Sequence, residues 1–392
     1  MKQVYLDHSA TTPIREEILA AMEPYFSREF GNASSVHSPG RSARKAIEKA
    51  RRTVASIIGA KPTEIIFTSG GTEADNLAVR GIAYARKDRG KHIITSSIEH
   101  AAVLNCCRAL EEEGFEVTYL PVDGQGRISP ADVHEAIRKD TILVTIMLAN
   151  NEIGTIQPIE AIAEDTTKRG IPFHTDAVQA MGKLPLHVGS LNVDALSLSG
   201  HKIHGPKGIG VLFLREGVSL KPLFQGGSHE FGYRPGTEDV ASIVAMAKAM
   251  ELAQEEQVAF NKEMRSLQSS LAKGIKERIE HVLFNGDPES GVPNILNVSF
   301  QDVDGEMLLL ALDTKGIFVS TGSACSSGTS EPSHVLTALG RDARWARGSI
   351  RFSLGRLNTK PDIDYVLEIL PAAVQSLRQI SLAFDHDARA TC

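Results

Sequence analysis

The sequence predicts an α/β protein, with a larger domain built on a mainly parallel sheet and a smaller α+β domain after it. Three observations carry this. Strand-length apolar runs alternate with helical patterns from residue 60 to 215, as expected for a sheet with helices on both faces. A tract rich in Ala, Leu, Met, Glu and Lys, from Asp239 to Glu280, then reads as one long helix of the kind that joins domains. From His281 the pattern changes to mixed strands and helices. At 392 residues the chain is long enough for two cores.

Composition narrows the class. A net charge of −6 argues against a general nucleic-acid binder or a protein held to anionic membrane. The amino-terminal residues lack the apolar stretch of a signal peptide, and no apolar run approaches membrane-spanning length. The cysteines, Cys106, Cys107, Cys325 and Cys392, form no Cys-x-x-Cys pair and are too few for a disulfide framework. A reducing cytoplasm is expected.

In chain order, Val4-Tyr5-Leu6 is a short strand-like piece, and Thr12 before Pro13 is placed to cap a helix running to about Phe26. Ser38-Pro39 opens a second helix, with Ala46, Ala50, Val54 and Ile58 four apart, ending at Gly59. Glu64 to Ser69 is a strand, and Gly70-Gly71-Thr72-Glu73 turns it into a helix through Ala83. Unpaired N–H groups and the helix dipole make such a junction an anion site, although a plain tight turn reads the same way. The strand His92 to Ser96 leads to a helix carrying Val103, Leu104, Cys107 and Leu110. His100 therefore falls at their junction, either as a helix cap or, beside a cofactor, as a ring that stacks and moves protons. Cys106 and Cys107 read as packing residues.

Glu116 to Leu120 and Ile142 to Leu148 are further strands, the second ending in Ala149-Asn150-Asn151-Glu152. That run is turn chemistry or a ligand contact. A helix over Ile159 to Arg169 follows, then a strand from Ile171 that exits through Asp176 and Gln179. A buried aspartate is costly unless paired, and a pyridinium is a suitable partner; the alternative is a cap for the next segment. Val193 to Leu198 is a strand that ends in Ser199-Gly200-His201-Lys202, and a Gly/Pro-rich turn leads to another, Gly208 to Leu214. Gly226 to Thr237 is a polar, glycine-rich loop. Beyond the long helix come a strand at Asn294 to Phe300 and a helix at Gly305 to Leu312. Ile317 to Ser320 then runs into a Ser/Gly-rich stretch, Thr321 to Ser330, that holds Cys325 and reads as a mobile loop. Arg347 to Gly355 is a strand whose Arg351 suits an ion pair or a bidentate carboxylate contact. A helix over Pro361 to Leu377 closes the fold.

Lys202 gives these pieces a common purpose. Lysine is ordinarily a surface charge. At the end of a sheet strand, with Gly200 giving room and Ser199 and His201 beside it, it sits at the ligand-binding edge of an α/β fold. An amine that loses its proton there can form a Schiff base with an aldehyde cofactor. Pyridoxal phosphate (PLP) is the candidate, and it requires a phosphate site, a carboxylate for the ring nitrogen and a flat group over the ring. The Gly70–Glu73 turn, Asp176 and His100 meet those needs. A zinc site at His201 and His204 lacks further clustered ligands, so no resident metal is expected.

Taken together, the motifs resemble the NifS/IscS-like cysteine desulfurases of the class V aminotransferase family. They run from Tyr5-Leu6-Asp7 through Thr68-Ser-Gly-Gly-Thr-Glu73, Glu99-His100, Asn150-Asn-Glu-Ile-Gly154, His174-Thr-Asp-Ala-Val-Gln179 and Ser199-Gly-His-Lys202 to Gly322-Ser-Ala-Cys325 and Ser349-Ile-Arg-Phe-Ser353. The resemblance implies the aspartate-aminotransferase-like PLP fold (fold type I). Its large domain, residues 13–258, holds a mainly parallel seven-stranded sheet. Residues 1–12 and 259–392 form the small domain with the catalytic-cysteine loop. It implies PLP on Lys202, Asp176 at the ring nitrogen, His100 over the ring and Gln179 at the ring hydroxyl oxygen. Gly71, Thr72, Ser199 and His201 would cradle the phosphate, with Thr237 reaching in from the other subunit of a homodimer. Asn151, also beside the cofactor, and Arg351 would hold the carboxylate of L-cysteine. Cys325 would be the nucleophile that carries a persulfide to an iron–sulfur scaffold protein or another acceptor, touching metal only as part of a nascent cluster. Two positions depart from the family pattern: Phe231 stands where arginine is usual, and Ser330 where leucine is common. Residue types alone leave aminotransfer and selenocysteine lysis open, although an aminotransferase has no need of Cys325. A non-catalytic scaffold would be expected to have lost Lys202, Asp176 or Cys325.

Overall fold

The computed structural model describes residues 2–321 and 332–390. The strands among them are β1 (Val4–Tyr5), β2 (Ile65–Thr68), β3 (His92–Ser96), β4 (Glu116–Leu120), β5 (Thr141–Thr145) and β6 (Phe173–Asp176). They continue with β7 (Ala195–Ser199), β8 (Gly210–Leu214), β9 (Val282–Asn285), β10 (Ile295–Phe300), β11 (Ile317–Phe318) and β12 (Ser349–Ser353). Seven form one sheet in the order β2-β8-β7-β6-β5-β3-β4. β8 runs antiparallel to both of its neighbours, and every other adjacent pair is parallel. The mainly parallel seven-stranded sheet expected from the sequence is therefore present. Because β8 alone is reversed, the carboxyl ends of β2, β3, β5, β6 and β7 open on one edge.

Successive strand residues feed opposite faces of this sheet. Ile65, Phe67, Val211 and Phe213 join one core, with the helix Ser38–Ile58 and the start of the long helix. Ile66, Leu212 and Leu214 join the other, with the helices Gly71–Arg86 and Ala101–Glu112. Covered on both faces, these strands read as unbroken apolar runs rather than alternating ones. The helix Ser38–Ile58 ends where its pattern indicated, at Gly59, whose φ of 71° suits a residue without Cβ.

A second core surrounds a three-stranded antiparallel sheet, β12-β10-β9. Leu296, Val298, Phe300, Ile350 and Phe352 pack there against Val4 and Leu6 from the amino-terminal segment. That segment is held by β1, which pairs in parallel with β11. The helix Val240–Arg278, 39 residues and so about 58 Å long, gives Met246 and Met250 to the first core and Met264, Leu271 and Ile275 to the second.

Some elements differ from expectation. The first helix begins at Glu16 rather than after Thr12 and ends at Met22, with a separate turn at Pro24–Ser27. The Thr12 hydroxyl is engaged elsewhere: it donates to the His201 carbonyl at 2.8 Å and accepts the His204 N–H at 2.8 Å. β5 stops at Thr145, yet the N–H groups of Ile146 and Leu148 still bond to β6 carbonyls. β9 and the short helix Pro130–Ala136 were not anticipated. The last helix spans Lys360–Ala390 and carries Pro371 inside it. Among the described residues no helix is long and apolar enough to cross a membrane.

Candidate active site

A cavity of about 510 Å³ opens at the sheet edge where those five strands end. Gly71 and Thr72 line it after β2, His100 after β3, Asn151 after β5, Asp176 and Gln179 at the end of β6, and Ser199, His201 and Lys202 after β7. Arg351 arrives from β12 and the second core. Ten of the residues singled out in the sequence thus meet in one place. Thr237 does not line this cavity; it is exposed in the loop before the long helix. Cys325 and Ser330 lie outside the described residues.

Each side chain is aimed by its local structure. Lys202 ends a single helical turn, Gly200–Lys202, that follows directly from β7. Its Nζ donates to the carbonyls of Ser9 and Ala10, at 2.6 and 2.8 Å. His100 caps the helix Ala101–Glu112, its Nδ1 accepting the Ala102 N–H at 3.1 Å. Its two sequence readings, cap and cavity ring, therefore hold together, and the cap leaves any proton of the neutral ring on Nε2. Gln179 Nε2 donates to the Ser9 carbonyl at 3.0 Å. Arg351 is 2% exposed; it donates to Asp7 Oδ1 at 2.7 Å and to the Asn151 carbonyl at 3.0 Å, while its Nε has no hydrogen-bond partner among the described residues.

Burial sets the electrostatics. Asp176 accepts the Val178 N–H at 2.8 Å, and burial still raises its carboxyl above the ordinary range against the pull of His100 and Lys202. Asp75 lines the same cavity, and its carboxyl is raised well above the ordinary range by burial and by the charge of Asp176. Burial lowers His174 to about 3, so its 3.7 Å approach to Asp75 is a contact between neutral groups. Glu152 lines the cavity, accepts the Ser333 hydroxyl at 2.6 Å and is pushed up to about 7 by burial. The buried Glu99, which accepts the Ser96 hydroxyl and the Met147 N–H, is pushed up to about 8, also by burial.

The arrangement fits a flat aldehyde cofactor that carries a phosphate. The helix Gly71–Arg86 presents its first N–H groups at the cavity, beside Thr72, Ser199 and His201. A Cβ on Gly71 would stand 2.8 Å from Val178 Cγ2, so the approach exists only for glycine. Asp176 is a buried carboxyl, and a protonated ring nitrogen would suit it as an ionic partner. No group of three or more metal-ligating side chains occurs among the described residues.

Several participants escaped the sequence reading. Ser9 and Ala10 act through carbonyls, which residue type does not reveal. Asp7 and Glu152 stood inside recognised motifs but carried no assigned task. Phe231, the departure from the family pattern, has φ 59° and lies over the Arg51 guanidinium at 4.9 Å. Arg51 in turn holds Glu230 through two bonds of 2.8 and 2.6 Å, so the loop is anchored by a buried ion pair with an aromatic cover.

Comparison with known proteins places the chain among relatives. Residues 4–366 match the family described as "Aminotransferase class-V". "Cysteine desulfurase IscS" of Methanosarcina thermophila is 53% identical over 380 residues, covering 97% of this chain and 94% of that protein. "Putative cysteine desulfurase IscS 1" of Bacillus subtilis is 50% identical, covering 93% of this chain and 96% of that one. Among solved structures, a "NIFS-LIKE PROTEIN" superposes with a TM-score of 0.91 at 39% identity, over 96% of this chain and 100% of its own. "SspA in complex with cysteine" superposes with a TM-score of 0.80 at 41% identity, over 89% and 98%.

Proposed function

The chain belongs to the class-V aminotransferase family, and on that premise we propose that it is a PLP-dependent cysteine desulfurase that moves the sulfur of L-cysteine onto Cys325. The observation that carries this is the meeting of Lys202, Asp176, His100 and the Gly71–Thr72 helix start in one cavity, with Arg351 entering from the other core.

When bound, PLP supplies an aldehyde for an amino group and an electron sink for the bonds around the substrate Cα. The helix start, Thr72, Ser199 and His201 would hold its phosphate, Asp176 would keep a proton on the ring nitrogen, and His100 would cover the ring. Arg351 and Asn151 hold the substrate carboxylate, with Arg351 Nε offering a donor. Lys202 would be the amine that holds the cofactor between turnovers, and its Nζ would move the proton at the substrate Cα. The Cys325 thiolate attacks the substrate sulfur; an S–S bond forms as the Cβ–S bond breaks, and the released electron pair takes up a proton at Cβ. Cysteine and the enzyme thiol become alanine and an enzyme persulfide, with no external oxidant or reductant.

Thr237, exposed and away from its own cavity, suits a contact with a second subunit's phosphate site, so the working form is a homodimer. The persulfide passes to an iron–sulfur scaffold protein or another sulfur acceptor in the cytoplasm. The two cores support a division into residues 13–258 and residues 1–12 with 259–392. The test is Cys325→Ala: it should retain cofactor and bind cysteine yet release little sulfide. Sulfide and alanine at the wild-type rate from that variant would refute the mechanism.

A further inference from the structure

Lys183 is a buried cation that the mechanism above leaves without a task. It is 6% exposed, in the turn after β6, and its Nζ donates to Gln179 Oε1 at 3.0 Å. The charges acting on it, Lys202 and Arg351, are both positive. With burial they bring its amine down to about 7. A buried lysine among cations is costly to keep.

What it keeps in order is the Gln179 amide. An amide can turn end for end with little change of shape, so its neighbours decide which end points where. The Ser9 carbonyl can only accept, and it takes Gln179 Nε2 at 3.0 Å. Lys183 Nζ takes Gln179 Oε1, and below a pH of about 7, where the lysine is an ammonium, it can only donate. Both neighbours select one orientation, with the oxygen turned to Lys183 and the N–H groups left for Ser9 and for the cavity that Gln179 lines.

We propose that Lys183 is a positioning residue that locks the Gln179 amide with its N–H end toward the cofactor's ring oxygen. The proposal rests on the cofactor reading given above. A donor held at that point favours the deprotonated ring oxygen, whereas a turned amide would set two acceptors against each other. The structure offers one rival role. Lys202 lines both the main cavity and a second one of about 50 Å³, which Lys183 also lines with Arg15, His204, Glu256 and Arg356. Lys183 could therefore act on Lys202 by charge alone.

The experiment separates these roles. Holoenzymes of the wild type, Lys183→Met, Lys183→Arg, Gln179→Leu and the Lys183→Met/Gln179→Leu pair are compared at one pH below 7, where Lys183 is an ammonium. The readouts are the ratio of the cofactor's absorbance bands and the affinity of each apoenzyme for added PLP. Lys183→Met should weaken PLP binding roughly five- to tenfold, as for one lost hydrogen bond, and raise the band of the protonated ring oxygen. Lys183→Arg should stay near the wild type, and Lys183→Met should add nothing once Gln179 is leucine. An unchanged Lys183→Met spectrum overturns the proposal. So does an equal effect in the Gln179→Leu background, which would mean action through charge on Lys202. If Lys183→Met does not fold, Lys183→Gln, too short to reach the amide, replaces it in the same cycle. A wild type that shows no cofactor band would instead sink the cofactor reading itself, a result visible before any variant is made.

Discussion

Gly71→Ala tests the cofactor cradle at the cost of one methyl group. The added Cβ would stand 2.8 Å from Val178 Cγ2 and 3.6 Å from Ser199 Cβ. Carbon atoms rest about 3.5–4.0 Å apart, so the first contact is roughly 1 Å too close. Gly71 is the first residue of its helix and is not among the glycines with positive φ, so the backbone itself accepts alanine. Val178 has little freedom to retreat, because its N–H is bonded to Asp176 Oδ1 at 2.8 Å and Gln179 follows it. Overpacking of this kind costs about 1–3 kcal/mol, against at most about 1 kcal/mol returned by the better helix propensity of alanine. We expect a lower apparent Tm for the apoenzyme. PLP affinity should fall by about tenfold or more, since the shift of Val178 reaches both the phosphate and the ring-nitrogen contacts. Val178→Ala removes the offending Cγ2, so the double variant should recover most of the loss caused by Gly71→Ala. Wild-type Tm and wild-type PLP affinity in Gly71→Ala would refute the close-packing argument, and so would a double variant no better than the sum of its parts.

Two further outcomes follow from the site. Lys202→Ala should still bind PLP through the phosphate contacts but turn over no cysteine, as read by absorbance and by alanine release; full activity would remove Lys202 from its assigned role. His8 is 3% exposed, neither ring nitrogen has a hydrogen-bond partner among the described residues, and burial together with His204 and Lys183 lowers it to about 3. Its folded pKa lies below the unfolded value of 6.5, so the neutral ring's contribution is complete above 6.5 and is lost as pH falls toward 3. His8→Phe, which keeps the edge-on contact with Tyr5, should therefore gain on the wild type by up to about 1.4 kcal/mol per pH unit below 6.5. A stability gap in urea unfolding that stays constant from pH 6.5 to 4 would contradict this.

Much of the site was legible because its groups sit at strand ends, where apolar runs give way to small and polar residues. Ser199-Gly200-His201-Lys202 and Asp176 announced themselves in that way, and the topology then brought them to one edge. The order β2-β8-β7-β6-β5-β3-β4 and the single reversed strand, β8, could not be read from periodicity, because strands buried on both faces show none. The start of the first helix was misplaced because Thr12 looks like a cap, while its hydroxyl is held by the turn around Lys202. β9 escaped because it is only half buried along most of its length and so lacks a strong apolar signature. Lys183 escaped for the opposite reason: a lysine is taken for a surface group until burial is seen.

The amino-terminal segment has a consequence for how the enzyme comes into being. Ser9 meets Lys202 across 193 residues and Asp7 meets Arg351 across 344. The segment is synthesised long before Arg351, so that pairing must wait for the later residue. At about 5–20 residues per second that interval is roughly 20–70 seconds. In its later part, once β8 has been made, the seven-stranded sheet has all its strands and can assemble, while Arg351 has not yet been made. A nascent chain can thus own the lysine without owning the pocket that governs it. Competence requires the later strands to meet the amino-terminal segment, and a chain terminated before them would have the sheet strands but not the finished site.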